Sequence, residues 1–371
     1  MRIVYIANKI NGTTGLERMI SVQSNYFVRN FGYDVQLVLI EQNENNLERT
    51  FFEVDNKIPF HFINAKKGPK KSYFKLVKSL NNLLPGLEPD IVMVCIDDIA
   101  WLYVPYFLKK NYKIVYQRHS TKDINLNRYY KGLKTKISNV IKSKLVLFGG
   151  NCYDRFVILT NDHRQDWKFV KRLSVIGNPI ILDAEGNRAE LNNKVVLAVG
   201  RHDPVKGFDM LIDSWAAVLE HFPEWTLRIV GQRITVIDLR KQAKDLGISD
   251  NVEFLEHTKE ISKEYLNASI LVCSSVIEGF PLTIVEAMSF GIPVVSFDCP
   301  YGPRAIIKNG EDGILVPPKD VLALSESIQH LIKDNNLRKE MGEKAQINIQ
   351  RFAKEKIMKL WQDLFEELHP N

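Results

Sequence analysis

The chain is poor in cysteine. It has four, Cys95, Cys152, Cys273 and Cys299, far apart and with no C-x-x-C among them. That spacing excludes a disulfide framework and a cysteine zinc site, and it fits buried thiols in a reducing cytoplasm. No apolar run approaches the ~18 residues that a membrane-spanning helix needs. The opening MRIVYIANKING turns polar too soon for a signal peptide. D-x-D, H-E-x-x-H and Cys/His clusters are missing, and the adjacent Asp97 and Asp98 would point to opposite faces of a strand. No metal and no cofactor is therefore expected. G-x-G-x-x-G and G-x-x-x-x-G-K-[ST] are also missing, which takes away the main support for a nicotinamide or P-loop reading.

The chain has 371 residues, of which 45% are hydrophobic and 25% charged, as in soluble globular proteins. That length exceeds one ordinary core, so two domains are expected. The net charge of +6 is unevenly spread. Residues 1–180 carry 28 Lys and Arg against 15 Asp and Glu, and the remainder carries 22 against 29. An anionic partner is implied for the first half alone.

Short apolar runs alternate with amphipathic stretches. The first half offers strands at 2–8, 34–40, 58–64, 90–96, 113–119 and 155–160, with helices at 15–30, 71–84, 126–147 and 161–171. The second half offers strands at 194–200, 225–231, 251–257, 268–275, 292–298 and 313–318, with helices between them. The strands are continuously apolar, so they belong in parallel sheets covered on both faces. The expected fold class is α/β, with two Rossmann-like doubly wound domains, 1–180 and 181–352, facing across a cleft. The polar stretch 178–193 reads as a linker. The amphipathic segment 353–371 is expected to pack back on the first domain. Ligands of such sheets sit beyond the carboxyl ends of the strands.

At one such end stands SSVIEGFPLTIVEAMSFGIPVV (274–295), with Glu278 and Glu286 eight positions apart. Gly279 permits a bend and Pro281 suits a first helical turn, which predicts a helix over 281–290. Its N-terminus would favour a diphosphate, and Glu286 would accept from sugar hydroxyls. The residues alone admit a plainer reading, a helix with one N-terminal and one exposed acid. In VGRHDPVKGFDML (199–211), Arg201 and Lys206 follow a strand and could neutralise a pyrophosphate, or could be solvated loop charges. KINGTTGLERMI (9–20) is a Gly/Thr turn resembling a phosphate cradle. His119 ends a strand in VYQRHS, where a structural histidine and a substrate contact are equally open.

Together GRHDPVKG, EGFPLTIVEAMSFGIPVV and NGEDGILVPP resemble the donor-binding half of the retaining glycosyltransferases of the GT-B fold, family four. That family's E-x7-E is met by Glu278 and Glu286, and its R-x4-K-G by Arg201, Lys206 and Gly207. The first half matches in TTGLER and His119, with Thr14–Gly15 where the family has paired glycines. The resemblance implies a nucleotide sugar, UDP-linked, as donor. It implies Glu286 on the ribose, Arg201 and Lys206 on the diphosphate, and Glu278 with the backbone of Gly279, Phe280, Pro281 and Leu282 on the transferred hexose or N-acetylhexosamine. It implies His119 on that sugar from the other domain, Gly15 near phosphate, and the base near Gln232 and His257. Transfer would be metal-independent, to a saccharide or lipid-linked saccharide in surface polysaccharide biosynthesis.

Lys66, Lys67, Lys70, Lys71, Lys75 and Lys78, with Tyr73, Phe74 and Leu76, would then touch an anionic membrane from the cytoplasmic side, or would form a solvated helix face. An epimerase of the same fold, a phosphorylase, or a non-catalytic nucleotide-sugar-binding protein are the other readings. A phosphorylase would need a pyridoxal lysine and a longer chain. Nucleic-acid binding is disfavoured by the acidic second half.

Overall fold

The computed structural model describes residues 1–41, 50–63, 71–109, 111–120, 148–182, 184, 186–233 and 238–370. The helix expected over 126–147, and Lys66, Lys67 and Lys70, lie outside the described residues. The chain divides into two compact units, Met1–Asn178 with Glu355–Asn371, and Pro179–Lys354. No helix among the described residues is long and apolar enough to cross a membrane.

The first unit holds β1 (Arg2–Ala7), α1 (Gly15–Phe31), β2 (Asp34–Leu39), β3 (Phe60–Phe62), α2 (Lys71–Leu87), β4 (Ile91–Val94), α3 (Val104–Phe107), β5 (Lys113–Gln117), β6 (Arg155–Ile158) and β7 (Leu173–Val175). The strands form one parallel sheet in the order β3-β2-β1-β4-β5-β6-β7. β1 from Ile3 onward and the whole of β4 are apolar and buried, as strands covered on both faces must be. β7 was not foreseen, because three residues are too few to show a period. The helix expected over 161–171 is instead a 3₁₀ turn at Asn161–Gln165. Its chain is closed by three-residue bonds, Asp166 N–H to His163 and Trp167 N–H to Arg164. These turn Trp167 onto Phe156, 4.6 Å away between ring centroids, where it is wholly buried.

The second unit holds β8 (Val195–Val199), α4 (Phe208–Leu219), β9 (Thr226–Val230), α5 (Leu239–Asp245), β10 (Val252–Leu255), α6 (Ile261–Asn267), β11 (Ile270–Cys273), α7 (Leu282–Ser289), β12 (Val294–Phe297), α8 (Pro303–Ile306), β13 (Gly313–Val316), α9 (Val321–Lys333) and α10 (Asn335–Asn348). Its parallel sheet runs β10-β9-β8-β11-β12-β13. In both units the order reverses beside the first strand, as in dinucleotide-binding sheets. The stretch expected as a linker is part of this unit. Ala189 donates to the Phe290 carbonyl and Ser289 to that of Leu182, so its backbone groups are used in packing.

The last helix, α11 (Lys354–Leu368), carries its apolar stripe at Ile357, Met358, Trp361, Leu364 and Phe365, all buried. Phe365 meets Phe27 of α1 edge-on at 5.4 Å, and Arg155 pairs with Glu367. Both partners lie in the first unit, so a chain that has passed through the second unit returns to complete the first core. Phe365→Ala should therefore destabilise the first unit by about 3–5 kcal/mol. Protease sensitivity in urea, read separately for fragments of the two units, checks this. A loss under about 1 kcal/mol would show that the helix is not part of that core.

Candidate functional site

In the second unit the switch point lies between β8 and β11, and the loops after them are 200–207 and 274–281. The first loop ends in a 3₁₀ turn, Pro204–Lys206, whose N-cap Asp203 accepts from the amides of Val205 and Lys206 at 3.0 and 3.3 Å. Asp before Pro is the local sequence signature of this cap. The turn closes at Gly207, with φ 61° and ψ 31°. A Cβ there would collide with the Ser274 carbonyl, so glycine is required by conformation and by contact.

Two further bonds join the loops. Ser274 Oγ donates to the Lys206 carbonyl at 2.8 Å, and Val276 N–H donates to the Val205 carbonyl at 2.8 Å. With its backbone held, Lys206 runs its methylenes over Gly200 and donates from Nζ to Glu278 Oε1 at 2.6 Å. Burial works to lower the Lys206 pKa. Glu278 more than reverses this, and the pKa ends above the ordinary lysine value, so the ammonium stays charged. Burial, then the Glu278 charge, raises the Cys273 thiol.

Arg201 does not share the Glu278 contact of Lys206. It is exposed and pairs with Asp203 at 3.1 Å. Pro281 is the N-cap of α7, with ψ 98°, and not a residue of its first turn. The first intrahelical bond is donated by Ile284 to the Pro281 carbonyl at 3.1 Å. The amides of Leu282 and Thr283 precede it at the positive end of the helix. Gly302, at φ 81°, supports this turn, since a Cβ on it would lie 2.6 Å from Pro281 Cδ and 3.5 Å from Glu278 Cβ. Phe280 is buried edge-on against Phe352 at 5.2 Å, so only its backbone can serve a ligand. Glu286 is 2% exposed and accepts from the Tyr265 hydroxyl at 2.8 Å. Tyr265, stacked on Phe290 at 5.4 Å, was not anticipated. It comes from α6, and no local spacing links the two residues.

At the ends of β9 and β10 a small concavity is lined by His202, Gly231, Arg233, Asp238, Leu239, Arg240, Phe254, Leu255 and Glu256. The side chains of Gln232 and His257 are exposed and do not line it. Gln232 instead uses its carbonyl to accept the His202 N–H at 2.9 Å. Arg240 covers the Phe254 ring at 4.8 Å.

The first unit has its own cluster at the ends of β4, β5 and β6. The buried Arg118 guanidinium lies 3.5 Å from Asp97 and 5.8 Å from the Trp167 ring. Its Nε donates to the Ser120 carbonyl, and Asp97 accepts the His119 N–H at 3.3 Å. Segment 118–120 is thereby fixed, and His119 Nε2 is shielded without a hydrogen-bond partner. Sequence reasoning found His119 but not Arg118 or Asp97 behind it. Gly15 is the first residue of α1 and exposed. Beside it the buried Glu17 carboxylate accepts from Thr14 and occupies the space over Gly12. A carboxylate at that helix mouth repels a phosphate, which argues against the loop as a phosphate cradle.

These features define a class: a protein of two doubly wound units, with a lysine–glutamate pair at the switch-point edge of the second. The family model for Glycosyl transferases group 1 matches residues 182–348. An uncharacterized glycosyltransferase of Haemophilus influenzae is 30% identical over 98% of this chain and 99% of its own. The amylovoran biosynthesis glycosyltransferase AmsD of Erwinia amylovora is 28% identical over 98% of this chain and 99% of its own. The UDP complex of Anabaena HepE shares the fold, with a TM-score of 0.77 over 99% of this chain and 100% of that one at 19% identity. The chain belongs to the group 1 glycosyltransferases, with a fold of the GT-B type.

Burial pushes His119 and His163 down to about 4, with Asp97 and Arg118 opposing each other as smaller influences. Both imidazoles are neutral when folded at pH 7. Unfolded, they take up protons near pH ~6.5. Stability of the first unit should therefore fall as pH drops from about 6.5 toward about 4. Thermal melts across that window should show a shallower fall for His163→Asn than for the unaltered chain. Parallel curves would remove His163 from the effect.

Proposed function

We propose that this protein moves a hexose or N-acetylhexosamine from a UDP sugar to a saccharide or lipid-linked saccharide acceptor, with retention at the anomeric carbon and without a metal. The observation that carries the reading is the charged Lys206 held at Glu278, at the switch-point edge and in the loop that leads into α7. The diphosphate takes the amides of Leu282 and Thr283 and recruits the Lys206 ammonium. Arg201, already solvent-exposed, exchanges Asp203 for phosphate. Glu278, released, accepts from hydroxyls of the transferred sugar, and Glu286 accepts from the ribose. The base takes the concavity at Arg233, Leu255 and Glu256.

In the chemical step the C1–O bond to the β-phosphate breaks. A C1–O bond to the acceptor forms on the same face, and the acceptor proton passes to the leaving phosphate. Lys206 and Arg201 stabilise the charge that develops there. The work belongs to surface polysaccharide synthesis on the cytoplasmic side, with the Lys66–Lys78 cluster facing an anionic membrane.

Lys206→Ala and Glu278→Ala should each lower transfer by about 10²–10³-fold while the melting profile is kept. Calorimetry against a panel of nucleotide sugars with EDTA present identifies the donor, and product anomers report the stereochemistry. Near-normal transfer by both variants would overturn the site. An inverted product, or rates restored only by added metal, would overturn the mechanism.

A further inference from the structure

The second glutamate of the site is held by a residue from another helix. α6 buries one residue, Tyr265, whose side chain is wholly out of water. That side chain is anchored at both ends on α7. Glu286 and the C-cap Phe290, four positions apart, lie on one face of that helix. The Tyr265 ring stacks on Phe290, with centroids 5.4 Å apart and planes at 19°, and the hydroxyl donates to Glu286 Oε2 at 2.8 Å. The backbone under the pair is tied down as well. Phe290 N–H donates to the carbonyls of Glu286 and Ala287 at 3.3 and 3.1 Å. Ser289 Oγ donates to the Glu286 carbonyl at 2.7 Å. Ring, hydroxyl and helix together set the plane of the Glu286 carboxylate.

Stability does not call for this pair. A phenylalanine at 265 would fill the same space, and desolvating a carboxylate costs more than one neutral hydroxyl offsets. The pair has a use if Glu286 serves a ligand. A carboxylate has room for about four donors, so the bond to Tyr265 does not exhaust it. A hydroxyl, unlike a lysine or an arginine, orients the carboxylate without cancelling its charge. Shielded from water, such a carboxylate accepts strongly from other hydroxyls. The neighbouring 2′ and 3′ hydroxyls of a ribose match its two oxygens. We propose that Tyr265 is a positioning residue for ribose recognition. By fixing Glu286 it makes the protein select ribonucleotides over nucleotides that lack those hydroxyls. This rests on the donor reading, in which Glu286 accepts from the ribose, and adds the residue on which that contact depends.

The test is calorimetry of the full chain with UDP and with 2′,3′-dideoxyuridine diphosphate. The unaltered chain should prefer UDP by at least about ten-fold. Tyr265→Phe keeps the ring and should reduce that preference to about three-fold or less, by losing UDP affinity alone. Unchanged affinity for the dideoxy nucleotide shows at the same time that the variant is folded. Glu286→Ala should abolish the preference, and adding Tyr265→Phe to it should change neither affinity further, because the two residues act as one unit. A tyrosine that only packs would weaken both nucleotides alike. That result, or a Tyr265→Phe variant that keeps the full preference, would overturn the proposal and leave the donor reading standing. Equal binding of both nucleotides by the unaltered chain would overturn it together with the ribose contact of Glu286. No UDP binding by any form would sink the donor reading and this proposal with it.

Discussion

The second unit is organised around an ammonium ion held against a carboxylate in a largely buried place. Bringing Lys206 and Glu278 out of water costs more than a surface pair would return. The chain spends much local structure on it nonetheless. Asp203 fixes the turn, Gly207 allows the backbone to touch Ser274, and Ser274 and Val276 tie the two loops together. Gly302 then supports the turn that carries Glu278. Three strand ends contribute to one pair, and each contribution is specified by a backbone contact that tolerates no Cβ or by a bond to a main-chain atom.

Such an arrangement has a use if the pair is a resting state. A nucleotide diphosphate is a stronger partner for an ammonium than one carboxylate, and the mouth of α7 offers it further donors. The ligand that takes Lys206 leaves Glu278 with unfilled acceptor capacity, which sugar hydroxyls can meet. In this account one charge exchange couples arrival of the phosphate to readiness for the sugar. The deeply buried Glu286 fits the same economy, because Tyr265 keeps that carboxylate hydrogen-bonded without supplying a counter-charge.

Much of the fold could be read along the chain, for a physical reason. Parallel strands buried on both faces show as unbroken apolar runs, and Ile91–Val94, Ile270–Cys273 and Val294–Phe297 are of that kind. The failures lay where local period and tertiary packing disagree. Residues 161–171 have the amphipathic pattern of a helix, but burying Trp167 against Phe156 draws them into a 3₁₀ turn. Leu173–Val175 is a strand only because β6 offers an edge. At the site, Glu278, Glu286 and Lys206 could be found from spacing. Tyr265, Gly302, Arg118 and Asp97 act through contacts between distant segments, whereas Asp203 acts within its own turn and left a local sign, the proline that follows it. Arg201 and Phe280 carried the right spacing, but in the free protein one faces water and the other packs in a core.

The central claim is that Glu278 holds Lys206 until a diphosphate takes it. The most direct measurement is the UDP affinity of the unaltered chain, Lys206→Ala, Glu278→Gln and the double variant, set beside their transfer rates. If the pair is a resting state, Lys206→Ala weakens UDP binding, while Glu278→Gln tightens it several-fold and abolishes transfer. The double variant then binds UDP no better than Lys206→Ala. A Glu278→Gln variant that loses UDP affinity to the same degree as Lys206→Ala would contradict the account.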